Sequence, residues 1–418
     1  MTRQWQSVEL GSLAQFRNGL NYTQAARGRG GLPIVGVKDF QSRSFVEFSD
    51  LEELDATSVD PGDLTIKKGD ILFVRSNGNR QLIGRSLLVQ DEPKRSTTYS
   101  GFTIRLRFTD SRCDPSFYAY VLRGPLIRQV LSSQGGGTNI SNLNQGILAR
   151  LVVPFPPQDE QRRIASILGA YDDLIEVNRR RIALLEEMAR RLYEEWFVRF
   201  RFPGHEANTR KNLPEGWQML PLSQIATIVG ESMSPALSPD QTFCHYSFPA
   251  FDGGRLPAKE RGDIILSNKL EFSEPCVLIG KLNPRIPRVW YVPTNTDFPQ
   301  IASTEFIPLT PTEKVPLSLL YAYLKSEKFA GTLRGLSQGT STSHQRVRPK
   351  DVLNIHLPVP PEEVLSKVGR YFSSIFGQLE ILLRGNANLS ESRDLILPRL
   401  VSGELSVSSA ERELEAVA

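Results

Sequence analysis

The sequence of 418 residues predicts a mixed α/β (α+β) protein: two globular units of the same general plan, each followed by a long coiled-coil helix. Three observations carry that expectation. A heptad seam follows Pro154, a second seam follows Pro358, and the two stretches that precede them echo one another.

The first seam runs through Ile164, Leu168, Tyr171, Ile175, Asn178, Ile182, Leu185, Ala189, Leu192 and Trp196. Its steps alternate four and three, the pattern of a helix that supercoils against another helix. At 1.5 Å per residue such a helix would be roughly 55 Å long. An Asn at one seam position costs stability but fixes register and partner choice.

Pro154-Phe155-Pro156-Pro157 recurs as Pro358-Val359-Pro360-Pro361, an offset of 204 (358 minus 154). The same offset carries the first seam onto Val368, Phe372, Ile375, Leu379, Leu382, Asn386, Leu389, Arg393, Ile396 and Leu400 without a gap. Gly385 inside this second helix costs about 1 kcal/mol relative to Ala.

The globular stretches read as short strands, turns and helices. In the first, Leu32–Val37, Ile71–Val74, Gly84–Val89 and Gly101–Phe108 have strand patterns, and Pro115–Leu131 reads as helix. Leu222–Ala226 echoes Leu10–Ala14, and Ser303–Ile307 echoes Ser100–Ile104. Arg261-Gly262-Asp263-Ile264-Ile265-Leu266 echoes the Lys68-Gly69-Asp70 strand, so the offset drifts from 193 (262 minus 69) to 204. The boundaries that follow are a first unit over 1–153, a proline box and long helix over 154–206, a second unit over 207–357, a second box and helix over 358–405, and a frayed tail over 406–418.

Composition narrows the function classes. A net charge of +4 permits nucleic-acid binding without demanding it. Three scattered cysteines, Cys113, Cys244 and Cys276, argue against disulfide frameworks and zinc sites. No run of about eighteen apolar residues and no signal-like start occur, so the expected location is the cytoplasm, with no membrane partner. Motifs for P-loop, serine-hydrolase and zinc-protease chemistry are missing, and Asn283-Pro284-Arg285-Ile286 only approaches an amino-methyltransferase motif. No catalytic residue, metal site or cofactor is expected.

Binding residues are sought at polar tips. Arg75, Ser76, Asn77, Asn79 and Arg80 follow one strand, and Ser267, Asn268 and Lys269 follow its presumed echo. Such side chains match base edges and phosphates, although solvated turns share this composition. Gln134, Thr138 and Asn139 flank a triple glycine, and Thr340, Ser341, Ser343 and His344 stand in the corresponding loop. That loop could cradle a phosphate or serve as a flexible turn. Arg179-Arg180-Arg181 reads as a solvated face paired with Glu176, Glu186 or Glu187.

With these motifs together the chain resembles the specificity (S) subunits of type I restriction–modification enzymes. The resemblance rests on the repeat, on Pro154-Phe155-Pro156-Pro157-Gln158-Asp159-Glu160-Gln161-Arg162-Arg163-Ile164-Ala165, on Leu192-Tyr193-Glu194-Glu195-Trp196-Phe197 and on Leu397-Pro398-Arg399-Leu400-Val401-Ser402-Gly403-Glu404-Leu405. It implies two target-recognition domains with irregular mixed sheets, separated by two long antiparallel helices. It implies a non-catalytic subunit that binds double-stranded DNA at a split, asymmetric site. The implied partners are two methyltransferase (M) subunits, docked on the helices, and restriction/translocase (R) subunits. The second box departs from the pattern, because Pro361-Glu362-Glu363-Val364 lacks the Glu-Gln of the first. Two other readings stay open: a coiled-coil adaptor that does not bind DNA, and the specificity subunit of a methylation-only system.

Overall fold

The computed structural model describes residues 5–417 except 29, 41–43, 79–81, 134–142, 203–212, 294–295 and 337–344. It divides into two compact units, residues 1–175 with 389–418, and residues 176–388.

In the first unit Ser7–Glu9 pairs antiparallel with Val152–Pro154. A four-stranded antiparallel sheet has the order Ala14–Asn18, Thr103–Phe108, Ile71–Val74, Ser86–Leu88. A three-stranded mixed sheet sets Gly31–Val35 antiparallel to Glu52–Asp55 and parallel to Thr98–Tyr99. The predicted helix over 115–131 is two helices, Pro115–Arg123 and Pro125–Ser133. Gly124 and Pro125 interrupt it, because proline lacks the N–H that a helix interior needs. Asp114 caps the first of them by accepting from the Phe117 N–H at 3.0 Å, with Pro115 at the first helical position.

Gln161 of the proline box is fully buried and completes this start. Its Oε1 accepts from the Asp114 N–H at 2.8 Å, and its Nε2 donates to the Pro156 carbonyl at 2.8 Å. The helix of the second copy begins after Pro316, which has no N–H to satisfy. At the register position of Gln161 stands Leu365 (365 minus 161 is 204). The missing Gln of the second box therefore follows from a helix start with no donor to satisfy.

The second unit repeats the plan. Gln218–Pro221 pairs with His356–Val359, and a four-stranded antiparallel sheet has the order Ala226–Ile228, Phe306–Pro311, Cys276–Gly280, Val289–Val292. A five-stranded mixed sheet has the order Glu231–Met233, Lys269–Phe272, Gln300–Ser303, Thr242–Tyr246, Ala258–Arg261. Its parallel pair, Thr242–Tyr246 with Gln300–Ser303, matches the parallel pair of the first unit.

The first long helix spans Gln158–Tyr193 and ends in a π-helical turn over Glu194–Val198. The second spans Glu362–Val401 and passes through Gly385 unbroken. Every predicted seam position is buried or half-buried. In the first unit Ile164, Leu168, Tyr171, Leu397 and Leu400 join the core of the globular elements. In the second, Trp196, Val368, Phe372 and Ile375 do the same. There the Asn178 Nδ2 donates to the Asn386 Oδ1 at 2.9 Å, and Trp196 meets Phe372 edge-on at 6.3 Å. Rising numbers on one helix thus meet falling numbers on the other, an antiparallel pair with the two seam asparagines facing each other.

Residues 406–418, expected to fray, instead include a helix over Val407–Val417. Val407 and Ala410 are buried, and Arg163 makes two hydrogen bonds to Glu411 at 3.1 and 2.8 Å.

Candidate nucleic-acid interface

Backbone hydrogen bonds show which residues correspond between the two units. The Leu10 N–H donates to the Leu151 carbonyl and the Leu222 N–H to that of Ile355, both at 2.8 Å. Thr109 donates to Leu13 and Thr312 to Ile225, both at 2.9 Å. At the central strand Arg75 donates to Phe102, and Lys281 donates to Glu305, both at 2.8 Å. Leu143 donates to the Arg75 carbonyl at 2.8 Å, and Val347 donates to that of Lys281 at 3.1 Å. Ile71 faces Leu106 in the first sheet as Val277 faces Leu309 in the second.

The strand that corresponds to Ile71–Val74 is therefore Cys276–Gly280, at an offset of 206 (277 minus 71). The predicted echo over Arg261–Leu266 is corrected. Gly262–Ile264 is a 3-10 turn, and Ala258–Arg261 before it takes the place of Glu52–Asp55 in the mixed sheet. The shared Gly-Asp-Ile tripeptide misleads because its residues do different work in the two places. Gly69 adopts φ +87°, which side chains other than glycine's rarely take. Gly262 instead lets two backbones meet, since a Cβ there would lie 2.2 Å from the Ser238 carbonyl oxygen. Asp70 is buried and held by Arg107 at 2.7 and 2.6 Å, whereas Asp263 is exposed and pairs with Arg261.

The predicted tip residues fall into three groups. Arg75, Ser76 and Asn77 leave the central strand of the first unit half-buried, and the Arg75 N–H donates to the Phe102 carbonyl. Phe102 beside them is 58% exposed. Ser267 and Asn268 are exposed on a turn of the second unit, but Lys269 is not a tip residue. It begins the strand Lys269–Phe272, is 6% exposed, and turns its ammonium back on the Ser267 carbonyl and hydroxyl at 2.9 and 2.6 Å. Burial lowers its pKa. Asn79, Arg80, Gln134, Thr138, Asn139, Thr340, Ser341, Ser343 and His344 lie outside the described residues.

Sequence reasoning missed the turn after Cys276–Gly280. The signal was present: an apolar run, CVLIG, followed by a lysine, as the run ILFV is followed by an arginine. Arg346 holds Glu305 through two hydrogen bonds at 3.1 and 3.0 Å. Burial lowers the pKa of Lys281, partly offset by Glu305 and reinforced by Arg346. Arg288 is anchored to Asp252 at 2.9 and 2.7 Å and lies over Phe248 at 4.6 Å.

All three arginines of the triplet are exposed, and two of them are partnered, by one of the three expected acids. Arg179 and Arg180 pair with Glu176. Glu187 takes Arg190 and Arg191, and Glu186 takes Arg255. The seam side chains are spent inside the chain, so they are not free for docking. An outward stripe on the same helix is free instead: Val177, Leu184 and Met188 are 45%, 70% and 44% exposed, at heptad spacing. All three cysteines are buried and free, and no cluster of possible metal ligands occurs among the described residues. No described helix is long and apolar enough to cross a membrane.

Comparison with known proteins places this architecture. Residues 2–187 match the model of the Type I restriction modification DNA specificity domain. The MjaIX type I restriction enzyme specificity subunit of Methanocaldococcus jannaschii is 25% identical over 305 residues, which cover 69% of this chain and 68% of that one. The MjaVIII specificity subunit of the same organism is 23% identical over 373 residues, 83% of this chain and 81% of that one. A crystal structure of the type I restriction–modification S subunit from M. genitalium shares the fold, with a TM-score of 0.53, 16% identity, and coverage of 96% of this chain and 97% of that one. Residues 2–187 thus match the DNA specificity domain of type I restriction–modification systems, and most of the chain is similar to specificity subunits of such systems.

Proposed function

We propose that this DNA-recognition subunit reads a bipartite, asymmetric duplex site, one half with each globular unit. The observation that supports this most strongly is a single backbone frame built twice and tipped with different side chains. Arg75, Ser76 and Asn77 leave the central strand in one copy, and Lys281, Leu282 and Asn283 leave it in the other. A homodimer with two identical tips would read a palindrome, since half-site symmetry mirrors protein symmetry. Two different tips on one chain suit two different half-sites.

In this reading residues 1–153 and 207–357 are the target-recognition domains. Residues 154–206 and 358–405, with their long helices, set the spacer between half-sites. Arg75, Ser76 and Asn77 contact bases or phosphates, while Asn79, Arg80 and the two polar loops are further contacts. The subunit carries no catalysis and no cofactor of its own. It works in the cytoplasm within a complex of two methyltransferase subunits, joined in a full system by restriction/translocase subunits. Methyltransferase docking is assigned to the outward stripe of Val177, Leu184 and Met188, whose spacing suits a helix from a partner. The modest charge of +4 fits a subunit that shares phosphate contacts with its partners.

Long-read methylation mapping tests the reading. The chain is co-expressed with the methyltransferase encoded beside it, in a host free of other modification. One split methylated motif, lost when this chain is deleted, is the expected result. The same motif persisting without the chain would mean that another protein reads the DNA, and the adaptor reading would replace this one.

A further inference from the structure

We infer that the second unit meets DNA through Arg285 and Ile286, at the apex of the turn after Cys276–Gly280, and not through Ser267, Asn268 and Lys269. The inference rests on the DNA-recognition reading above and assigns the contact that the reading lacks in the second unit.

Position is the first argument. The backbone bonds of Lys281 to Glu305 and of Val347 to Lys281 reproduce those of Arg75 to Phe102 and of Leu143 to Arg75. Whatever the frame presents after Val74 in one copy, it presents after Gly280 in the other.

Rigidity is the second. Asn283 takes the left-handed conformation at φ +52°, which Asn tolerates better than most residues. The Ile286 N–H closes the turn onto the Asn283 carbonyl at 3.0 Å. Pro284 and Pro287 fix two further φ angles around the apex. Asn283 is thus a positioning residue, and the apex enters a groove with little left to order.

Chemistry is the third. Arg285 is exposed and makes no ion pair among the described residues, whereas Arg288 and Arg346 are each held by a carboxylate. Ile286 is 54% exposed. A free guanidinium beside an exposed apolar group matches a guanine edge or phosphate next to a thymine methyl. In the first unit an arginine again stands beside an exposed apolar group, Phe102, although Arg75 is half-buried and its Nη1 lies 3.5 Å from the Gly101 carbonyl oxygen. The turn at 267–268 lacks it: Lys269 is buried, and Arg261 nearby in sequence is taken by Asp240 and Asp263.

The test uses the full complex of this chain with its methyltransferase on a duplex library randomised across the wild-type motif. Arg285→Ala with Ile286→Ser should relax base discrimination on the order of tenfold in one half-site and leave the other half unchanged. Both side chains are exposed, so the melting temperature should match wild type. Ser267→Ala with Asn268→Ala should leave both halves unchanged. Unchanged discrimination in the first variant, or a relaxed half-site in the second, would overturn the inference while the DNA-recognition reading stands. A wild-type complex with no chain-dependent motif would remove both.

Discussion

Tyr120 and Tyr323 hold the same place in the two repeated helices, within Tyr118-Ala119-Tyr120 and Tyr321-Ala322-Tyr323, yet their surroundings differ. The Tyr120 hydroxyl donates to Asp172 Oδ2 at 2.8 Å. Asp172, on the first long helix, also binds Arg393 of the second and lies 3.7 Å from Arg123. Tyr323 sits among rings, edge-on to Tyr193 at 5.5 Å and to Phe197 at 5.2 Å, and its hydroxyl has no hydrogen-bond partner among the described residues. One unit joins its long helices to its globular part by a buried polar cluster, the other by an aromatic one. Burial pushes both phenols above their ordinary pKa. The difference teaches that the repeat preserves the backbone frame while each copy finds its own means of filling it. It also explains Arg393, which breaks the second apolar seam because it meets a carboxylate.

The largest effect should come from breaking the polar cluster. Asp172→Ala leaves Arg123 without its carboxylate in a buried place and Arg393 with only the exposed Asp394, and should cost about 3 kcal/mol of stability, read as a lowered calorimetric midpoint. A loss below about 1 kcal/mol would mean that solvent reaches the cluster. The two tyrosines sharpen the comparison. Tyr120→Phe removes a hydrogen bond to a charged group and should destabilise by about 1.5–3 kcal/mol. Tyr323→Phe removes a buried hydroxyl without a partner and should be neutral or stabilising by up to about 1 kcal/mol. Losses of equal size and sign from the two substitutions would erase the distinction.

Much of this was legible in the sequence because it rests on spacing. The seams, the offset at the proline boxes and the Leu10–Ala14 echo each depend on a period or a repeated string, and the fold preserves both. The central strand was not legible, because a three-residue identity at Gly262 outweighed an apolar run at Cys276. Identity over three residues is weak where glycine can serve either an unusual φ or a close approach. Lys269 was misplaced because polar composition does not say which way a side chain points, and its strand turns it inward. The partner of Gln161 was invisible for another reason: it is a backbone N–H 47 residues away in the chain.

That one frame, built twice, reads two independent half-sites is tested most directly by exchange of one unit. Residues 1–153 are replaced by the corresponding unit of a related specificity subunit, and the methylated motif of the hybrid complex is mapped. One half of the motif should change to that of the donor, while the other half and the spacer stay as they were. A hybrid that changes both halves, or neither, would contradict it.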